Sequence, residues 1–298
     1  MMNKNTLLII TTLFLGLIIT GCRHNSAVIT EIENDIKFDS VMVKEKYYLL
    51  GDTTNPYCSL ESVFTFPTDY KDKEILDKLI TYFMHSFFGE DISTENPEEA
   101  IDSYVQMYIT DYKELESDFI EELKITGEKP QHDSWYSYYE ISSNEILYNK
   151  CNLLSYGVSV EYFTGGAHGG NGFNNYVLNL ITGDEINEDD IFIKNYEDSL
   201  AQIILYTIAS DNNVESPEEL ESMGFFNIDE IYPNSNFYVD AKGITYTYNE
   251  YEIAAQHVGR IDVFIPYERI RQLIRNDSPV APLVFKKNEH FNNKKILP

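Results

Sequence analysis

The apolar residues of this chain recur first at every second position, then at every third or fourth, then at every second again. Val41 and Val43 lead into Lys44–Leu50, and Cys58, Leu60, Phe64 and Phe66 share one parity, the pattern of strands with one face buried. From Lys71 the period lengthens. Ile75, Leu76, Leu79, Ile80, Phe83 and Phe87 lie on one helical face, and Gly89 ends it. Asn96 before Pro97 and Glu98-Glu99 starts a second helix, with a cap, a proline at the first helical position and acids in the first turn; its apolar stripe runs from Ile101 to Leu115. After Gly127 to Asp133 the runs Trp135–Tyr139, Ile141–Tyr148, Cys151–Phe163 and Asn175–Ile181 return to the strand pattern as a meander. Such a chain is neither a helical bundle nor all-β. The expected class is α+β, antiparallel sheets with helices packed on one face.

The remainder follows the same scheme. Tyr196–Ala209 reads as a helix, Ser216-Pro217-Glu218-Glu219 as a capped short helix, Phe237–Val239 and Ile244–Tyr248 as a hairpin around Lys242-Gly243, then a strand Arg260–Ile265 and a last helix Pro266–Ile274. The expected organisation is two sequential small α+β units, residues 35–130 and 131–275, with 276–298 as an extended tail.

Ahead of these units stands an export signal. Leu7 to Thr20 is an uninterrupted apolar stretch of 14 residues behind a lone Lys4, long enough for a signal-peptide core and short of the ~20 residues of a membrane-spanning helix. It closes on Gly21-Cys22, which resembles a lipobox, so residues 1–21 are expected to be removed and Cys22 to carry a diacylglycerol. Residues 22–34 are then a tether, and the protein is lipid-anchored in the cell envelope, on the periplasmic or surface side. Formal charge is −27, and −28 once Lys4 leaves. Nucleic acid is excluded as a partner, since binding it draws on clustered Lys and Arg, whereas cationic proteins are attracted from a distance. The remaining thiols, Cys58 and Cys151, are candidates for a disulfide in an oxidising compartment or for two buried small hydrophobes.

The sharpest local motif is Tyr162-Phe163-Thr164-Gly165-Gly166-Ala167-His168-Gly169-Gly170. Glycines permit positive φ and close approach of another chain or ligand. The motif fits either a ligand-contacting loop or a tight hairpin. The second is Asn236 to Ala254, containing Tyr248-Asn249-Glu250-Tyr251-Glu252-Ile253-Ala254, followed by Ala255-Gln256-His257-Val258-Gly259. Together, in this order, they resemble the domain of unknown function found in the extracellular part of the anti-sigma factor RsiV and beside the catalytic domain of the peptidoglycan deacetylase PdaC. The resemblance spans about residues 151 to 275. It implies a binding module for a cationic lysozyme-like protein or for peptidoglycan fragments, with Gly165, Gly166, His168, Gly169, Tyr248, Tyr251 and Gln256 as the ligand-contact residues. Ala255-Gln256-His257-Val258 departs from the aromatic and small residues usual there, which affects any contact made by that segment.

Enzymatic alternatives are thinner. The histidines His24, His85, His132, His168, His257 and His290 form no His-Glu-x-x-His pair, and no nucleophile elbow or phosphate loop occurs. No cofactor, metal site or catalytic residue is expected. The competing reading is an envelope hydrolase or metal-binding enzyme using His168, joined by His257 and a carboxylate.

Overall fold

In the computed structural model, which describes residues 32–285 apart from 91, 93, 95 and 129–134, the period-2 runs form two sheets and the period-3.6 runs form the helices against them. The larger sheet has five strands in sequence order, β1 (Lys37–Tyr48), β2 (Tyr57–Asp69), β3 (Tyr138–Lys150), β4 (Leu153–Thr164) and β5 (Gly170–Asn179). Between β2 and β3 lie α1 (Lys73–Phe88), α2 (Pro97–Lys113) and α3 (Glu116–Thr126). The chain then forms a one-turn α4 (Glu188–Ile191), α5 (Glu197–Asp211), and a second sheet of β6 (Phe237–Val239), β7 (Gly243–Tyr248) and β8 (Ile261–Pro266), followed by the one-turn helices α6 (Tyr267–Ile270) and α7 (Ala281–Val284). The α+β class holds.

Local chemistry sets the helix starts. The Asp72 side chain accepts the amides of Glu74 and Ile75, and Asn96 those of Glu98 and Glu99 with Pro97 at the first helical position. Leu79, Phe83 and Phe88 of α1 pack on Phe64 of β2 and Tyr156 of β4, with the Phe83 and Tyr156 rings stacked 4.0 Å apart. Strand alternation turns the next residues the other way: Ser155 donates to the Val239 carbonyl at 2.8 Å, and Val177 joins Leu200, Ile204, Ile244 and Val263 in the core of the second sheet and α5. Thus α1 and α2 cover one face of the large sheet, while the small sheet covers only the β4–β5 part of the other. Among the described residues, no helix is long and apolar enough to cross a membrane.

Four expectations meet a different outcome, and the open alternative for the two thiols is decided. Pairing is antiparallel throughout except at β2–β3, where Cys58 to Val63 run parallel to Tyr138 to Ser143. That pair joins strands of the two expected units in one sheet, and the described residues from 32 to 285 form a single compact unit. Trp135–Tyr139 and Ile141–Tyr148 are not separate strands, since β3 passes unbroken through Glu140. The tail is not extended from 276. Val280, Leu283 and Val284 are buried in the second core, because α7 turns back onto it. Cys58 and Cys151 are unpaired. Cys58 sits opposite the start of β3 and Cys151 follows its end, so a strand length of roughly 40 Å at ~3.3 Å per residue separates them. Burial pushes the Cys58 thiol up to about 11, the behaviour of a small buried hydrophobe.

Candidate functional site

The glycine-rich segment is the β4–β5 hairpin. Gly165 and Gly166 take φ of +83° and +95°, a region closed to most side chains. Gly170 lies opposite Tyr162, and a Cβ there would stand 2.7 Å from the Tyr162 ring. Two glycines therefore make the turn, and Gly169 and Gly170 let the returning strand pass over Tyr162. Ala167 and His168 are exposed at its tip.

The second motif meets this hairpin on β5, just past the turn. Asn171 donates to Glu250 Oε1 at 3.0 Å, and the Phe173 amide to Asn249 Oδ1 at 2.8 Å, while Asn249 Nδ2 returns a bond to the Phe173 carbonyl. Behind them Asn175 contacts Asn236 and Thr247, and Thr247 donates to Asp262. This ladder of amide side chains fixes the 249–256 loop to β5. Within the loop Tyr251 has φ +63° and is 60% exposed, and its hydroxyl donates to Gln256 Oε1 at 3.0 Å. Ile253 and Ala254 anchor the loop from below, with Ala254 bridged to Phe225.

Tyr248 stands apart from the other predicted contact residues. It is 1% exposed, in the core of the small sheet, and its hydroxyl donates to the Tyr232 carbonyl, with burial raising its pKa. It cannot present a ring to a ligand. The correction follows from position: Tyr248 is the last residue of β7, every residue of which is buried. His257 is exposed and lies against Gly224. Among the described residues, no group of three or more His, Cys, Asp or Glu is placed to hold a metal. Cys22, His24, His132 and His290 lie outside the described residues.

A second feature, without a motif in the sequence, is the part of the large sheet that the small sheet leaves bare. There the strands align side chains in rows: Lys46, Ser59, Tyr139, Phe163; then Lys44, Glu61, Ile141, Glu161; then Met42, Val63, Ser143, Ser159. A hollow of about 760 Å³ lies over the first two rows, and a polar cleft of about 300 Å³ lies where Ser143 and Ser159 meet Phe173, Thr247, Arg260 and Asp262. Ile141 is 46% and Met42 62% exposed. The parity of β3 hid this face. Its residues toward the helices are Glu140, Ser142 and Asn144, each satisfied by a partner: Glu140 accepts the Tyr104 hydroxyl at 2.6 Å, Ser142 pairs with Ser62, and Asn144 bonds the Thr65 backbone. Burial raises the Glu140 pKa, against the opposing effect of its hydrogen bonds with Tyr104 and Ser142.

Residues 189–268 match the family described as a protein of unknown function, DUF3298. The crystal structure of a DUF3298 member from Bacteroides fragilis is similar at 32% identity and a TM-score of 0.80, over 86% of this chain and all of that one. A DUF3298 protein from Pseudomonas aeruginosa shares the fold, with a TM-score of 0.52 and 11% identity over 81% of this chain and 96% of that one. No curated protein matches.

Proposed function

Since the chain belongs to the DUF3298 family, whose function is unknown, we propose from its own residues that it is a lipid-anchored binding module of the cell envelope, contacting its partner at the corner of the glycine hairpin and the 249–256 loop. The observation that carries this reading is Tyr251, an exposed aromatic in a positive-φ conformation, held by Gln256 on a loop fixed to two sheets. Aromatic side chains on preorganised loops are the usual anchors of binding surfaces. His168, on the exposed tip of the hairpin, and Gln256 complete the surface. The partner is a basic, lysozyme-like protein. The net charge of the chain and the resemblance to the RsiV extracellular domain support that choice, and the lipobox-like Gly21-Cys22 supports the anchor.

Titrating the full chain in detergent with a basic lysozyme over a salt series tests the reading. Binding is expected to weaken as salt rises, because screening shortens the electrostatic reach to about 8 Å at physiological ionic strength. Tyr251→Ala should weaken it at least about tenfold. Absence of binding even at low salt excludes the basic partner, and binding indifferent to Tyr251→Ala moves the contact elsewhere. Cys22→Ser should shift the protein out of the membrane fraction or leave it as the uncleaved precursor; a processed, detergent-phase protein after that substitution removes the anchor.

A further inference from the structure

The bare half of the large sheet borders the ladder that fixes the Tyr251 loop and has a chemistry of its own. Its first row offers an aromatic platform, with the Tyr139 and Phe163 rings stacked 20° from parallel and Tyr57 beside them under Lys46. The third row carries two hydroxyls, Ser143 and Ser159, 3.0 Å apart, and leads into the cleft where the Arg260 guanidinium covers the Phe173 ring at 4.1 Å. From Tyr139 to Glu145 the strand covers about 20 Å at ~3.3 Å per residue, and the hollow and the cleft lie end to end on adjacent rows of β3 and β4, a trough of two parts.

Most charges along this trough are answered in place, the exposed Glu145 beside the cleft excepted. Lys44 pairs with Glu61, Arg260 with Asp262 at 2.8 Å, Lys46 lies 4.6 Å over the Tyr57 ring, and Glu161 accepts the Tyr139 hydroxyl at 2.9 Å. A strongly charged occupant would have to break these pairs. A neutral one rich in hydroxyls meets aromatic faces for its C–H surfaces and oriented donors and acceptors for its oxygens. Length and neutrality together favour a chain of sugar rings over a single small molecule. We propose that this trough is a second binding site, for a neutral, extended oligosaccharide, one ring stacked on Tyr139 and Phe163 and another seated in the Arg260 cleft. The site goes beyond the protein-binding corner and does not depend on it.

The test is calorimetric titration of the full chain in detergent with two neutral probes, the β-1,4-linked tetramers of N-acetylglucosamine and of glucose, and with their monosaccharides. At least one tetramer should bind tenfold or more tighter than its monosaccharide, with affinity unchanged between low and high salt. Tyr139→Ala should reduce that affinity at least tenfold and Tyr139→Phe, which keeps the ring, by less than threefold. Ile141→Lys, at an exposed position where folding is not at stake, should weaken binding at least tenfold by laying a long side chain across the middle of the trough. Tyr251→Ala should leave it unchanged. The proposal is overturned if neither tetramer binds at millimolar concentration, if binding survives both Tyr139→Ala and Ile141→Lys, or if Tyr251→Ala alone removes it.

Discussion

Two tyrosines three residues apart show how differently one residue type is used here. Tyr248 fills a buried slot and hydrogen-bonds Tyr232, whereas Tyr251 stands in solvent. Tyr248→Ala is expected to cost about 3–5 kcal/mol, as for other large-to-small changes in cores, and Tyr248→Phe about 1 kcal/mol for the lost hydrogen bond. Tyr251→Ala should leave the chemical denaturation midpoint unchanged; equal midpoints for the two alanine variants would contradict these placements. Glu140 supplies a pH signature. Its folded pKa is raised, chiefly by burial, so the folded state holds the proton to higher pH than the unfolded chain does. Stability is therefore fully present below the ordinary glutamate value and is lost as pH rises from there through the raised folded value. Glu140→Gln keeps an acceptor for Tyr104 and should flatten that segment of the stability–pH curve, and an unaltered slope would show that Glu140 does not set it.

At the scale of elements, glycines separate turns from contacts. Gly166 has a positive φ with open space around its missing side chain, whereas a Cβ on Gly243 would run into the Ile265 backbone across the β7–β8 pair. Gly166→Ala should cost ~1–2 kcal/mol of backbone strain. Gly243→Ala should cost more, because one of two paired strands has to move, and thermal melts of both variants give the order. Most elements were legible in the sequence. The change of period from Lys71 and the stop at Gly89 bounded α1, Asn96-Pro97 opened α2, and the parity of Cys58, Leu60 and Phe64 marked the buried side of β2. What escaped has a physical cause in each case. α3 was absorbed into the stripe of α2, since the break at Glu114 and Leu115 involves neither glycine nor proline and both residues stay right-handed. The open face of β3 was hidden because buried polar residues occupy its inner parity, and only tertiary partners reveal them as satisfied. The turn of α7 back onto the core rests on a few apolar residues too short to show a period.

Across the whole molecule, the predicted corner was legible because both motifs are local. The hairpin and the 249–256 loop each announce themselves by glycine or turn residues, and the asparagines that join them lie within the same segments. The parallel β2–β3 pairing was not, since it links residues some 80 positions apart, such as Ser62 and Ser142, and no local pattern encodes that choice. A fragment of residues 32–128 has the strands and helices of the first expected unit but lacks β3, so β2 keeps one row of unpaired amides and carbonyls. It should show no cooperative melting transition, while the full chain does; a cooperative transition in the fragment would restore two independent units.

That same pairing makes time a variable in how the chain acquires its shape. β1 and β2 close early through a short turn, but β2 receives its second neighbour only after three helices and more than 60 further residues have been made. Contacts of such sequence separation carry a large loop-closure cost and slow folding. Until β3 arrives, the strand destined for the interior of the sheet is a free edge, open to any extended chain nearby. The vulnerable period of this protein is therefore its synthesis, and substitutions that delay the docking of β3 should lower its yield before they change its stability once folded.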